Sequence, residues 1–98
     1  MNIDITLGGK TASLNANLAA AKAVNALGTG FQNAIFKIGA LDLDTYAGVV
    51  AAGLGKKASE VEDAVFQSGL VNLTAPLVEF VTLLANGGKP LNNGEPAA

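Results

Sequence analysis

The densest cluster of acidic side chains in the sequence is formed by Glu60, Glu62 and Asp63. Paired carboxylates can act as a general acid and a general base in catalysis. The same residues also complete a capping box with Ser59, in which the serine accepts from the N3 amide and Glu62 reaches back. Carboxylates in the first turn of a helix complement its dipole. We therefore favour a structural role for this cluster over a catalytic one.

Asp42 and Asp44 are of a residue type that binds metal ions, but the residues around them do not form a known metal-binding motif. An EF-hand loop needs further oxygen ligands, a central glycine and a terminal glutamate at fixed spacing. Tyr46 and Ala47 occupy positions where such ligands and the glycine would be needed. A simpler explanation is that one of the two aspartates caps a helix.

The stretch GLGKK at residues 53–57 superficially resembles a phosphate-binding loop. That loop needs another glycine five residues before the glycine of its Gly-Lys pair, and a serine or threonine after the lysine. The early position is Val50 and the later one is Lys57. We expect this stretch to form the end of a helix and a turn.

Four residue types that support much of protein chemistry are missing from the sequence, namely His, Cys, Arg and Trp. Without His or Cys, a catalytic triad, a zinc site, an iron–sulfur cluster or a disulfide cannot be built. Without Arg there is no bidentate guanidinium to recognise a phosphate. We therefore expect no enzyme activity, no catalytic residue, no cofactor and no metal.

The charge pattern argues against nucleic acid as a partner. The net charge is −2, and only Lys56 and Lys57 are adjacent among the six lysines. Nucleic-acid binding needs a basic stripe that neutralises several phosphates. The longest run without charge, residues 64–78, is too short for a membrane span of about 20 apolar residues. The first residues lack a signal-peptide pattern, so we expect no membrane association and a cytoplasmic location.

Periodicity predicts a small α+β domain in which an N-terminal β-hairpin precedes about five short helices. Residues 3–7 alternate apolar and polar, and Gly8-Gly9 can form the hairpin turn to residues 10–14. Helices are expected over residues 18–27 and 31–38, from Asp42 or Asp44, over 59–68 and from Thr74, with a proline in the first turn of the last one. We expect one domain over residues 1–88 and a flexible tail over 89–98.

The composition predicts that this domain binds another protein. Half of the residues are hydrophobic and only 14% are charged, against about 25% in an ordinary domain. A domain this small cannot bury all of its apolar side chains, and exposed apolar surface tends to mark a binding site. The last helix is apolar on more than one side, and the first is rich in alanine. The candidate partner-binding residues are Val78, Val81, Leu83, Leu84, Leu18 and Ala21.

The order of several short motifs resembles a known family. They are LGGK at residues 7–10, YAGVVAAGL at 46–54, SEVEDAV at 59–65, GL at 69–70, APLVEFV at 75–81 and LANGG at 84–88. Over residues 3–88 the sequence is similar to the small tail assembly chaperones of long-tailed bacteriophages, especially the type found in gene transfer agents. Residues 18–27 depart from this pattern, because relatives tend to be more charged there.

The resemblance implies a function in building the phage tail. Such a chaperone coats the long, aggregation-prone tape measure protein in the cytoplasm of the bacterial host before the tail tube polymerises. The expected partners are the tape measure protein, further copies of the chain in a homo-oligomer, and possibly the tail tube protein. The alternative is a minor, tube-associated component of the tail that is retained in the virion.

Overall fold

The order of the elements confirms the predicted architecture of a hairpin followed by five helices. A computed structural model describes residues 2–89. The strands are β1 (Asn2–Leu7) and β2 (Lys10–Asn15), and the helices are α1 (Leu18–Gly28), α2 (Phe31–Gly39), α3 (Leu43–Leu54), α4 (Ala58–Ser68) and α5 (Leu70–Ala85). The tail predicted over residues 89–98 lies, apart from Lys89, outside the described residues.

The hairpin forms because its sequence alternates and its turn consists of two glycines. Gly8 and Gly9 both have positive φ, 60° and 81°, which is the backbone of a type I′ turn and is unfavourable for other residues. The register pairs Leu7 with Lys10 across this turn. The buried strand residues Ile3, Ile5 and Leu14 face the helices.

Helix α3 lies at the centre of the domain and contacts the four other helices and β2. All residues from Thr45 to Ala51 are buried, so this helix has no solvent-facing side over nearly two turns. Small residues allow the close packing: a Cβ at Gly53 would lie 2.8 Å from the Leu14 side chain. The central position of α3 therefore also requires a residue without a side chain at position 53.

A buried tyrosine joins three helices. The Tyr46 hydroxyl of α3 lies 2.6 Å from the carbonyl oxygen of Ile38 in α2 and 2.6 Å from the Thr74 Oγ1 of α5. Thr74 Oγ1 also lies 3.0 Å from the carbonyl oxygen of Leu70. Two hydroxyl protons serve these three contacts: the Tyr46 hydroxyl donates to the Ile38 carbonyl oxygen, and the Thr74 hydroxyl donates either to the Leu70 carbonyl oxygen or to the Tyr46 oxygen. The buried Tyr46 hydroxyl is therefore not left unsatisfied.

Two predicted helix starts are wrong. Helix α4 begins at Ala58, with Lys57 as the N-cap and no side-chain cap, so Ser59 lies inside the helix and the capping box does not form. Helix α5 begins at Leu70 instead of near Thr74. Pro76 therefore lies in its interior and leaves one helical hydrogen bond unmade. Packing of Leu73, which is buried, favours the longer helix because burial outweighs the local start signals.

Candidate partner-binding surface

The structure places the predicted partner-binding residues of α5 mainly in the core. Val81 is fully buried, and Leu83 and Leu84 are only 4% and 5% exposed, so the assignment of these three residues to an exposed binding face was wrong. The reason is that α5 contacts α1, α2, α3, α4 and β1. A helix surrounded by so many neighbours is apolar on several sides for internal packing alone. Val78 is half-buried and packs against the core.

Leu18, Ala21 and Leu84 lie together at a groove between the start of α1 and the end of α5. The groove encloses about 230 Å³ and is also lined by Ala16, Asn17, Gly87 and Gly88. Asn17 caps α1 by accepting from the Ala20 N–H at 2.9 Å, which fixes the wall that carries Leu18. Leu18 is 69% exposed. Three of the six predicted residues thus line one groove, but Leu84 is buried there, Ala21 is half-buried and only Leu18 is exposed.

Three large apolar side chains outside the six predicted partner-binding residues are more exposed than any of those six except Leu18. Phe36, Phe66 and Val71 are exposed by 71%, 69% and 74%. Phe36 lies off the apolar stripe of α2, and Phe66 lies off that of α4. The same helical spacing that identified the stripes could have identified these two residues. Val71 was missed because α5 begins earlier than predicted.

Leu41 combines exposure with an unfavourable backbone. It is 46% exposed and has a φ of 59°, a conformation that costs a non-glycine residue about 1–2 kcal/mol. Leu41 follows α2 as the left-handed residue of a Schellman cap, in which the Asp42 N–H donates to the Lys37 carbonyl oxygen. Glycine is the usual residue at such a position, so a leucine there is a departure from local preference.

Of the two aspartates considered as metal ligands, Asp42 is the N-cap of α3 and Asp44 lies in its first turn. Asp42 caps α3: its carboxylate accepts from the Thr45 N–H at 3.1 Å and from the Thr45 hydroxyl. The hydroxyl bond holds the pKa of Asp42 below its usual range, and the Thr45 N–H and the charge of Lys37 act in the same direction. Within residues 2–89, no group of three or more acidic residues is placed to hold a metal ion.

The other two candidate stretches also lie at helix ends. Gly53 is in the last turn of α3, and Gly55 is its left-handed C-cap with a φ of 68°, so residues 53–57 form a helix end as expected. Glu60 lies in the first turn of α4. Asp63 accepts a hydrogen bond from Gln67 one turn later at 3.0 Å. These contacts are those of a solvated helix face.

Comparison with known proteins finds no match for the chain. No family model matches the chain, no curated protein matches it, and no solved structure matches it. In the part of the chain that the structure describes, none of the helices has the length and apolar character needed to cross a membrane.

Proposed function

We propose that this chain is a tail assembly chaperone of a bacteriophage or a gene transfer agent. It binds the tape measure protein in the cytoplasm of the bacterial host and keeps it soluble until the tail tube polymerises around it. The proposed function is taken from the resemblance of the sequence to this family. The structural observation that supports it is the outward placement of Leu18, Phe36, Phe66 and Val71, each more than two-thirds exposed.

These four side chains, which we call the exposed apolar set, belong to four different helices. Burying one large apolar side chain contributes about 1.5–3 kcal/mol, and association with a client costs several kcal/mol in lost freedom. One copy therefore holds a client weakly through a single contact. Several copies that associate side by side on one long client add their contacts together. We therefore expect many copies of the chain to coat one client together.

Co-expression with the tape measure protein tests the proposal. The double variant Phe36→Ser/Phe66→Ser removes two members of the exposed apolar set, and Gln32→Ser/Glu62→Ser is a matched control on the exposed faces of the same two helices. We expect the soluble fraction of the client to fall with the first variant and to stay unchanged with the second. Far-UV circular dichroism checks that both variants fold.

Two results would contradict the chaperone proposal. One is a tape measure protein that stays equally soluble without this chain. The other is failure of the purified chain and client to co-elute in gel filtration at any ratio. Sedimentation velocity of the chain alone tests self-association, and a sedimentation coefficient that does not rise with concentration would remove the homo-oligomer from the proposal.

A minor structural component of the tail is the second candidate function. The observation that favours it is the hairpin, because no third strand pairs with either strand of the sheet among residues 2–89, and an open strand edge can pair with a segment of a neighbouring tail protein. Mass spectrometry of purified tails separates the two proposals. A chaperone is absent from finished particles, whereas a structural component is present in a fixed ratio to the tail tube protein.

A further inference from the structure

The outer edge of β1 borders a trough of about 500 Å³. One wall is the hairpin, and the other is the corner where α4 ends and α5 begins. The residues that line it are Asp4, Ile5, Thr6, Gly9, Ser68, Asn72, Leu73 and Pro76. The only charge among them is that of Asp4. The trough therefore combines a strand edge with a mostly uncharged channel beside it.

The register of the hairpin determines which backbone groups face this trough. Leu7 and Lys10 flank the two-residue turn, and such a pair exchanges hydrogen bonds. Hydrogen-bonded and non-hydrogen-bonded pairs alternate along an antiparallel ladder. The N–H and C=O groups of Asp4 and Thr6 therefore point away from β2. Within residues 2–89 no other strand lies on that side of β1 to pair with them.

The end of this edge nearest the turn is held in place by α4. The Gly8 N–H donates to Ser68 Oγ at 2.9 Å, and this hydroxyl donates to the Ala64 carbonyl oxygen at 2.7 Å. Across the sheet, Ser13 Oγ donates to Asp4 Oδ1 at 2.5 Å. Because these bonds order the hairpin before any partner arrives, binding at the edge costs less conformational entropy.

We propose that the β1 edge binds an extended polypeptide segment by strand addition. The outward N–H and C=O groups of Asp4 and Thr6 pair with the backbone of the segment, as in other cases of β-augmentation. Alternate side chains of the segment enter the trough over Leu73 and Pro76, which favours apolar residues there. Asp4 favours a neutral or basic segment over an acidic one. This inference goes beyond the proposed function and does not depend on it.

The size of the domain favours an isolated segment over the hairpin of a second copy. If a second hairpin continued the sheet with its helices on the same face, the two hairpin centres would lie two strand spacings, or about 10 Å, apart. The shortest dimension of the domain is 23 Å, so the two helical layers would overlap. An extended segment that carries no packed domain beside it meets no such obstacle.

The test uses the full chain and a capped seven-residue peptide of alternating threonine and valine with a lysine at each end. Hydrogen exchange followed by NMR should show that the peptide protects the amides of Asp4 and Thr6 but not those of Thr11 and Ser13. Two N-methylated forms of the peptide, blocked on alternate residues, should differ, because only one of them loses the amides that face β1. The form whose methylated amides face β1 should bind at least about tenfold more weakly than the other form.

A pair of proline variants provides the matched test on the protein. Thr6 and Thr11 are cross-strand partners with the same side chain, and both of their amides point outward, at opposite edges. Thr6→Pro should weaken peptide binding at least about tenfold, whereas Thr11→Pro should leave it unchanged. The N-methylated peptides test the wild-type chain, so they decide the question even if a proline variant unfolds.

Three outcomes overturn the inference. The first is absence of binding by the unmodified peptide, and the second is equal binding of both N-methylated forms. The third is concentration-dependent dimerisation of the chain that Thr6→Pro abolishes and the peptide does not compete for, because a second copy would then occupy the edge.

Discussion

Gly53→Ala is expected to lower the free energy of unfolding, whereas Gly48→Ala is expected to leave it unchanged or to raise it. Both glycines lie in α3 and both are buried. In either case the change from glycine to alanine favours the helix by up to about 1 kcal/mol. The difference between the two sites lies in what the added methyl group meets.

At Gly53 the added Cβ meets atoms that cannot move away. It would lie 2.8 Å from both Cβ and Cδ2 of Leu14 and 3.1 Å from Cζ of Phe80. Both side chains are fully buried, and the Leu14 Cβ is attached directly to the backbone of β2. Overpacking of this kind costs about 1–3 kcal/mol. Since Gly53 is near the end of α3, it gains little from helix propensity, and we expect a net destabilisation of about 1–2 kcal/mol.

At Gly48 the neighbouring atoms are the far end of one side chain. The added Cβ would lie 2.6 and 2.7 Å from the two Cδ atoms of Leu27, which is 37% exposed. Leu27 can turn towards solvent at a cost of about 0.5–1 kcal/mol. The propensity gain offsets this cost, so we expect Gly48→Ala to be neutral or stabilising by up to about 1 kcal/mol.

Urea unfolding followed by far-UV circular dichroism measures both effects. A difference of about 2 kcal/mol between the variants corresponds to about 8–16 °C in melting temperature for a domain of this size. Equal m-values in the two variants would show that the comparison reports stability and not a change in the unfolded state. The packing argument is refuted if Gly53→Ala is as stable as Gly48→Ala, or more stable.

Three further substitutions test single contacts. Tyr46→Phe should lower the free energy of unfolding by about 1 kcal/mol, because it removes the hydroxyl shared by Ile38 and Thr74; an unchanged urea midpoint would show that the bonds add nothing. Leu41→Gly should raise the melting temperature by relieving about 1 kcal/mol of backbone strain, and a decrease would mean that its side chain packs. Asp42→Asn should reduce the loss in free energy of unfolding that occurs at acidic pH. Because the pKa of Asp42 is lowered in the folded protein, its carboxylate stabilises the fold above about pH 4, and this contribution is lost at lower pH. Urea midpoints at pH 7 and pH 3 measure this, and equal acid sensitivity of both proteins would exclude Asp42 as a cause.

The local signals that predicted the hairpin and most helices agree with the packing around them. Gly8-Gly9 can form a tight turn in any context, and the alternation of Ile3 and Ile5 needs only one apolar layer beneath it. Signals that conflict with packing were misleading. The serine and glutamate of the supposed capping box lie inside α4, and Pro76 lies within α5. Helix α5 extends upstream of Pro76 because Leu70 and Leu73, which precede the proline, pack against the core. Helix α4 starts at Ala58, one residue before the serine.

The candidate site was less predictable than the fold. An apolar residue at helical spacing contributes equally to the pattern whether it faces the core or a partner. Leu18 and Leu83 illustrate this, since both were assigned to a binding face and only Leu18 is exposed. Phe36 and Phe66 could have been found, because their positions off the stripes are visible in the sequence.

The sequence by itself determined the class of this protein: a small α+β domain that contains no His, Cys, Arg or Trp and in which half of the residues are hydrophobic and only 14% are charged. Those conclusions follow from composition and from periods of two and 3.6 residues, which are local properties. Only the tertiary structure decided which apolar residues face outward and that the β1 edge borders a trough. Exposure depends on which elements meet, and those contacts join residues far apart in the chain, such as Gly8 with Ser68.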